Sequence, residues 1–141
     1  MDKGARILLV DDQVIVVVSL QTQMNAEGYS NVEIAADGAG ALRICRSRHV
    51  DLVLLDVLMP GDLDGIELGG ILNRESPDTR IVFMSATDDS NTLREIDTIA
   101  HQAFVSKPYE NAYVIRTIEA CLGGRQPLRR PGSSPDAPIR V

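Results

Sequence analysis

The sequence has no tryptophan, two phenylalanines, three tyrosines and two cysteines in 141 residues. So few aromatics leave the core to aliphatic side chains, and a hydrophobic content of 44% can supply one. Cys45 and Cys121 lie far apart in helical patterns without metal-ligand spacing, so no disulfide framework or zinc site is expected. They read as half-buried thiols. Long hydrophobic runs are missing too, and no stretch approaches the roughly 18 apolar residues that cross a bilayer. The start, Met1 to Arg6, runs straight into a strand-like segment with no signal-peptide core, which predicts a cytoplasmic protein with no membrane role. Net charge is −6; past Leu122 four arginines against one aspartate leave +3, so the preceding 122 residues carry −9. An acidic body argues against direct nucleic-acid binding by this domain.

What is present is a repeated alternation. The run Val50 to Asp56 is almost unbroken apolar sequence ending on a carboxylate, the pattern of a parallel strand covered on both faces. Similar runs are Arg6 to Val10, Arg80 to Met84 and the shorter Ala103 to Val105; Asn31 to Ala36 alternates and reads as nearer an edge. Helical patterns follow each. In Gln13 to Glu27, β-propensity in Val14 to Val18 competes with a helix closing on Gly28; we read a helix capped by Asp12, with Val16, Leu20 and Met24 inward. Further helices are expected from Asp37-Gly38 through Arg48 and from Asp64-Gly65 to about Glu75, where Gly69-Gly70 allow close packing on the sheet. The fourth, capped within Asp88 to Asn91, has a thin stripe of Leu93, Ile96 and Ile99, and the fifth, about Glu110 to Leu122, turns Val114 or Ile115, Ile118 and Leu122 inward. Gly38-Ala39-Gly40 begins a dinucleotide fingerprint that fails at Arg43. Five strand–helix pairs predict an α/β domain, a parallel sheet with helices on both faces. Residues 1–122 form that domain, and 123–141, rich in Pro, Gly and Arg, a disordered tail or linker.

The carboxyl ends of parallel strands share one edge of the sheet. They carry Asp11-Asp12, Asp56, Ser85 and Lys107. Two carboxylates about 4 Å apart repel by about 4 kcal/mol at an effective dielectric near about 20, so a compensating charge is required. Oxygen ligands suit a hard divalent cation, Mg2+, with Lys107 as a second positive charge. A metal beside a free carboxylate, a lysine and a hydroxyl suits a phosphoryl group: Asp56 as nucleophile, Lys107 neutralising oxygens, Ser85 donating a hydrogen bond. His49 and His101 read as charges at helix ends, with no chemistry assigned.

The set Asp11-Asp12, Asp56-Val57-Leu58-Met59-Pro60, Asp64-Gly65, Ser85-Ala86 and Lys107-Pro108 resembles the receiver domain of two-component response regulators over residues 5 to 122. The resemblance implies a flavodoxin-like (βα)5 doubly wound sheet of strand order 2-1-3-4-5, and phosphotransfer from a phosphohistidine on a sensor histidine kinase or histidine phosphotransfer protein. It implies Asp56 as phospho-acceptor, Asp12 as direct metal ligand, Asp11 as ligand through water and the Leu58 carbonyl completing the set. Ser85 and Phe104 take the switching positions, and the Lys107-Pro108 bond is cis. Such a protein is a phosphorylation-controlled switch with slow autodephosphorylation rather than an enzyme, and the fourth helix, fifth strand and fifth helix form the face for a partner or a homodimer. Three departures stand out: Gly61-Asp62-Leu63 puts three residues where the family usually has two, Phe104 replaces a frequent tyrosine, and no Gly-Ala pair precedes the fifth strand.

Val14, Ile15, Val17 and Val18 follow the metal ligand and cannot all face the core, so their exposed members are expected to ring the site as a docking surface for the phosphodonor. The alternative function is a small aspartyl-phosphate phosphatase or phosphotransferase, disfavoured because Leu58, not an acid, stands two residues after Asp56.

Overall fold

A computed structural model describes residues 3–86 and 88–123. Five strands, β1 (Arg6–Val10), β2 (Asn31–Ala35), β3 (Leu52–Asp56), β4 (Arg80–Ser85) and β5 (Ala103–Ser106), alternate with five helices, α1 (Val14–Ala26), α2 (Gly38–Ser47), α3 (Gly65–Glu75), α4 (Ser90–Asp97) and α5 (Asn111–Leu122). All the strand pairs are parallel, in the order β2-β1-β3-β4-β5, as expected, with β2 at an edge. The expected tail, past Gly123, lies outside the described residues.

Strand periodicity divides the core in two. Ile7, Leu9, Leu52, Leu54, Val82 and Met84 face α1 and α5, whereas Leu8, Val10, Val53, Leu55, Ile81 and Phe83 face the layer of α2, α3 and α4. Both faces being covered explains why β3 reads as a continuous apolar run. Gly69 serves the close packing expected of it, since a Cβ there would meet the Phe83 ring at 2.9 Å. Gly70 does not; its nearest neighbour is the flexible Arg74.

Several local expectations need correction. Helix α1 starts from Gln13 with no side-chain cap; Asp11 Oδ1 accepts the Gln13 N–H at 2.9 Å, and Asp12 is left pointing outward. Its core-facing residues are Val17, Leu20 and Met24, not Val16. A spacing of three and then four satisfies the helical period as well as two steps of four, and the run of valines hid which applies. Val17 is therefore removed from the docking set, being wholly buried. On α5 both Val114 and Ile115 are buried, Cys121 joins them in the core, and Leu122 packs against it half-buried. His101 is not an exposed helix-end charge: it is buried edge-on against Phe83, with Nδ1 2.7 Å from the Ile99 carbonyl oxygen. The other end assignments hold, with Asp37, Asp64 and Asp89 capping α2, α3 and α4.

Candidate functional site

The strand ends assemble one cluster. Strands β1 and β3 are neighbours in register, Val10 opposite Leu55, so Asp11 and Asp56 emerge side by side. Oxygens of Asp11, Asp12 and Asp56 all lie within 4.8 Å of one another. Asp11 and Asp56 are buried and Asp12 is exposed, which leaves the cluster open on one side. A cleft of about 260 Å³ lined by Asp12, Gln13, Asp56, Leu58, Ala86 and Lys107 reaches it.

Lys107 arrives from the end of β5, where its N–H bonds the Ser85 carbonyl at 2.9 Å and its bond to Pro108 is cis, as expected. Its ammonium lies 2.8 Å from Asp11 Oδ2 and 3.2 Å from Asp56 Oδ2, and donates at 3.4 Å to Gln13 Oε1. Burial alone would pull Lys107 down, but contact with Asp11 and the charge of Asp56 hold it above the ordinary lysine range. Asp56 goes the other way: burial pushes it up to about 6, with Asp11 adding to the rise and Lys107 and the Leu58 N–H opposing it. One ammonium thus offsets only part of the charge of three clustered carboxylates. Such an oxygen donor set, partly buried and open to one side, fits a hard divalent cation such as Mg2+.

The loop after β3 shows why Asp64-Gly65 is needed. Asp64 caps α3 in a capping box with Glu67, and the Gly65 N–H bonds the Val57 carbonyl at 3.2 Å. A Cβ at Gly65 would collide with the backbone carbonyl of Asp56. In the same loop Gly61 has φ of +106°, and the Leu63 carbonyl presses on Gly38 at the start of α2, where a Cβ would also collide. Leu58 is 58% exposed, and its N–H bonds Asp56 Oδ1 at 3.2 Å.

Ser85 is buried at the end of β4. It shares its sheet face with Phe83, and Phe83 pairs in register with Phe104, so Ser85 and the half-buried Phe104 lie on the same face of adjacent strands. Two neighbours of the cluster were not anticipated. Gln13 touches both Asp11 and Lys107, and Tyr109, two residues beyond Lys107, is close enough for the charges of Asp11, Lys107 and Asp56 to act on it. Only adjacency to Asp12 and Lys107 in sequence could have flagged them. The cysteines take no part, burial pushing both thiols up to about 11.

The model of the family described as "Response regulator receiver domain" matches residues 7–119. The chain belongs to that family. Receiver relatives include the response regulator MprA of Mycobacterium sp. (strain KMS), 35% identical over 91% of this chain and 55% of its own length. Sporulation initiation phosphotransferase F of Bacillus subtilis (strain 168) is 33% identical over 74% of this chain and 83% of its own. Among solved structures, a CheY-like receiver domain protein from Methanospirillum hungatei JF-1 shares the fold with a TM-score of 0.81 at 24% identity, covering 86% of this chain and 96% of that one. The CheX-CheY-BeF3-Mg+2 complex from Borrelia burgdorferi matches with a TM-score of 0.74 at 26% identity, covering 83% and 88%. The chain spans about half the length of MprA-type relatives. It is a receiver domain of the two-component response regulators. No helix among the described residues is long and apolar enough to cross a membrane.

Proposed function

We propose that this receiver accepts a phosphoryl group on Asp56 from a phosphohistidine of a sensor histidine kinase or histidine phosphotransfer protein. The observation that carries the reading is the Lys107 ammonium lodged between Asp11 and Asp56 beside a third carboxylate, Asp12. Asp12, Asp56 and the Leu58 carbonyl would hold Mg2+ directly and Asp11 through water; the ion supplies positive charge toward phosphoryl oxygens. An Asp56 oxygen attacks phosphorus, the P–N bond breaks, and the departing imidazole nitrogen keeps the electron pair. Asp56 attacks as a carboxylate, so this chain has no base to provide. Lys107 shifts to a phosphoryl oxygen and Ser85 donates to another.

Phosphorylation then draws Ser85 inward, and Phe104, on the same sheet face, packs into the space released. The face of α4, β5 and α5 changes shape for a partner or a second copy. Val14, Ile15 and Val18, exposed at 40%, 88% and 41%, form the donor-docking surface beside the cleft. The receiver ends with α5, residues 123–141 act as tail or linker, and the protein works in the cytoplasm as a switch with slow autodephosphorylation rather than as a turnover enzyme. The family match favours this over the phosphatase or phosphotransferase reading.

Mass measurement after incubation with Mg2+ and acetyl phosphate tests the assignment. Wild type should gain one phosphoryl group and Asp56→Asn none. Labelling that persists in Asp56→Asn would remove Asp56 as acceptor.

A further inference from the structure

Helix α3 carries a glycine that its own fold does not need. Gly70 sits inside the helix, where glycine is weakening, yet its φ is not positive and a Cβ there would meet only the movable end of Arg74, at 3.7 Å. Its neighbour Gly69 differs, being pressed against Phe83. The missing side chain at position 70 instead opens a groove of about 470 Å³, walled by Leu63, Ile66 and Ile71 and, beyond α4, by Ile99. Ile66 and Ile71 are only half-buried, so this apolar wall is partly open to solvent.

The charges on the rim match the same face turned around. Glu67, Gly70, Ile71 and Arg74 follow spacings of three and four, which puts them on one side of α3. Glu67 stands three residues before Gly70, and Arg74 three after Ile71. Now let a second α3 lie antiparallel to the first, about a two-fold axis passing between residues 70 and 71. Ile71 of each copy then faces the gap at Gly70 of the other, and Glu67 of each faces Arg74 of the other. Within one helix these two charges are about 10 Å apart and cannot pair. Glu67 spends one carboxylate oxygen on the capping box, and Arg74 has no ion pair among the described residues. A foreign partner would have to bring a matching knob and matching charges, whereas a second copy already has both.

We propose that α3 is a self-complementary docking face on which a second copy of this chain binds antiparallel, Ile71 over Gly70 and Glu67 against Arg74, each contact made twice. The face is separate from that of α4, β5 and α5, and its use does not rest on Asp56 being the acceptor. One helix and its flank make a small interface, so the dimer is weak and transient.

Sedimentation equilibrium of the full chain, up to about 1 mM, tests this. Wild type should dimerise reversibly. Arg74→Glu and Glu67→Arg should each dimerise at least about tenfold more weakly, because like charges then face each other twice. An equimolar mixture of the two should recover dimers, since both facing pairs are again opposite. Gly70→Gln fills the gap and should also weaken the dimer, while the monomer melts about 4 °C higher because a better helix former replaces glycine. A glycine needed by its own fold would lower the melting temperature instead. A wild type that stays monomeric, a dimer indifferent to Arg74→Glu, a mixture no stronger than its components, or a Gly70→Gln that melts lower would each overturn the docking face.

Discussion

Gly65 lies against the backbone carbonyl of Asp56 so closely that no side chain fits between them. The first turn of α3 is therefore seated directly on the residue that carries the chemistry. Gly65→Ala must push backbone, not a yielding side chain, and overpacking of this kind costs about 1–3 kcal/mol. Calorimetric melting should show the loss, and Mg2+ affinity should fall with it because Asp56 is displaced.

Removing the charge of Asp56 should stabilise the metal-free domain near neutral pH. The carboxyl is pushed up to about 6 from an ordinary 3.8, so the fold favours its protonated form. That contribution is fully present below the ordinary value and is lost as pH rises through about 6. Melts in EDTA should therefore show Asp56→Asn gaining over wild type at a pH of about 7.5 and gaining little at a pH of about 4. Added Mg2+ should narrow the gap at the higher pH. An equal gain at both would remove the buried charge as its cause.

Asn73 ties α3 to the segment leading into β5. Its Oδ1 accepts the Ala100 N–H at 2.7 Å and its Nδ2 donates to the Ala100 carbonyl at 3.1 Å. Asn73→Ala leaves two partly buried backbone groups without these bonds, a cost of about 1–3 kcal/mol. Hydrogen exchange should accelerate at Ala100 more than in β1 or β3.

Two substitutions on α1, two residues apart, should separate docking from folding. Ile15→Glu places a charge on a side chain already 88% exposed, so stability should change by no more than about 0.5 kcal/mol. Transfer from the protein donor should slow while acetyl phosphate labelling is kept. Val17→Glu buries a charge without a partner and should prevent stable folding. Equal loss of both labelling routes in Ile15→Glu would remove the docking role.

Most of the fold was legible because β1, β3 and β4 show their burial on both faces as unbroken apolar runs and because aspartates mark three helix starts. The cluster of Asp11, Asp12, Asp56 and Lys107 was legible for a topological reason, since parallel strands deliver their ends to one edge. The inward face of α1 was not, because consecutive valines carry no periodic contrast. His101 was misread for a related reason: sequence shows where a helix ends but not that the next segment turns into the core. Tyr109 was invisible as well, since nothing in the sequence shows that its hydroxyl is buried near the cluster.

The contact of Leu63 with Gly38 links two segments that the chemistry alone would keep apart. The turn after Pro60 brings the Leu63 carbonyl to where a Cβ at position 38 would stand. Across descendants of this chain, turn length and residue 38 should therefore change together: a bulkier residue at 38 would be inherited with a shortened turn, and the two traits would be rare alone.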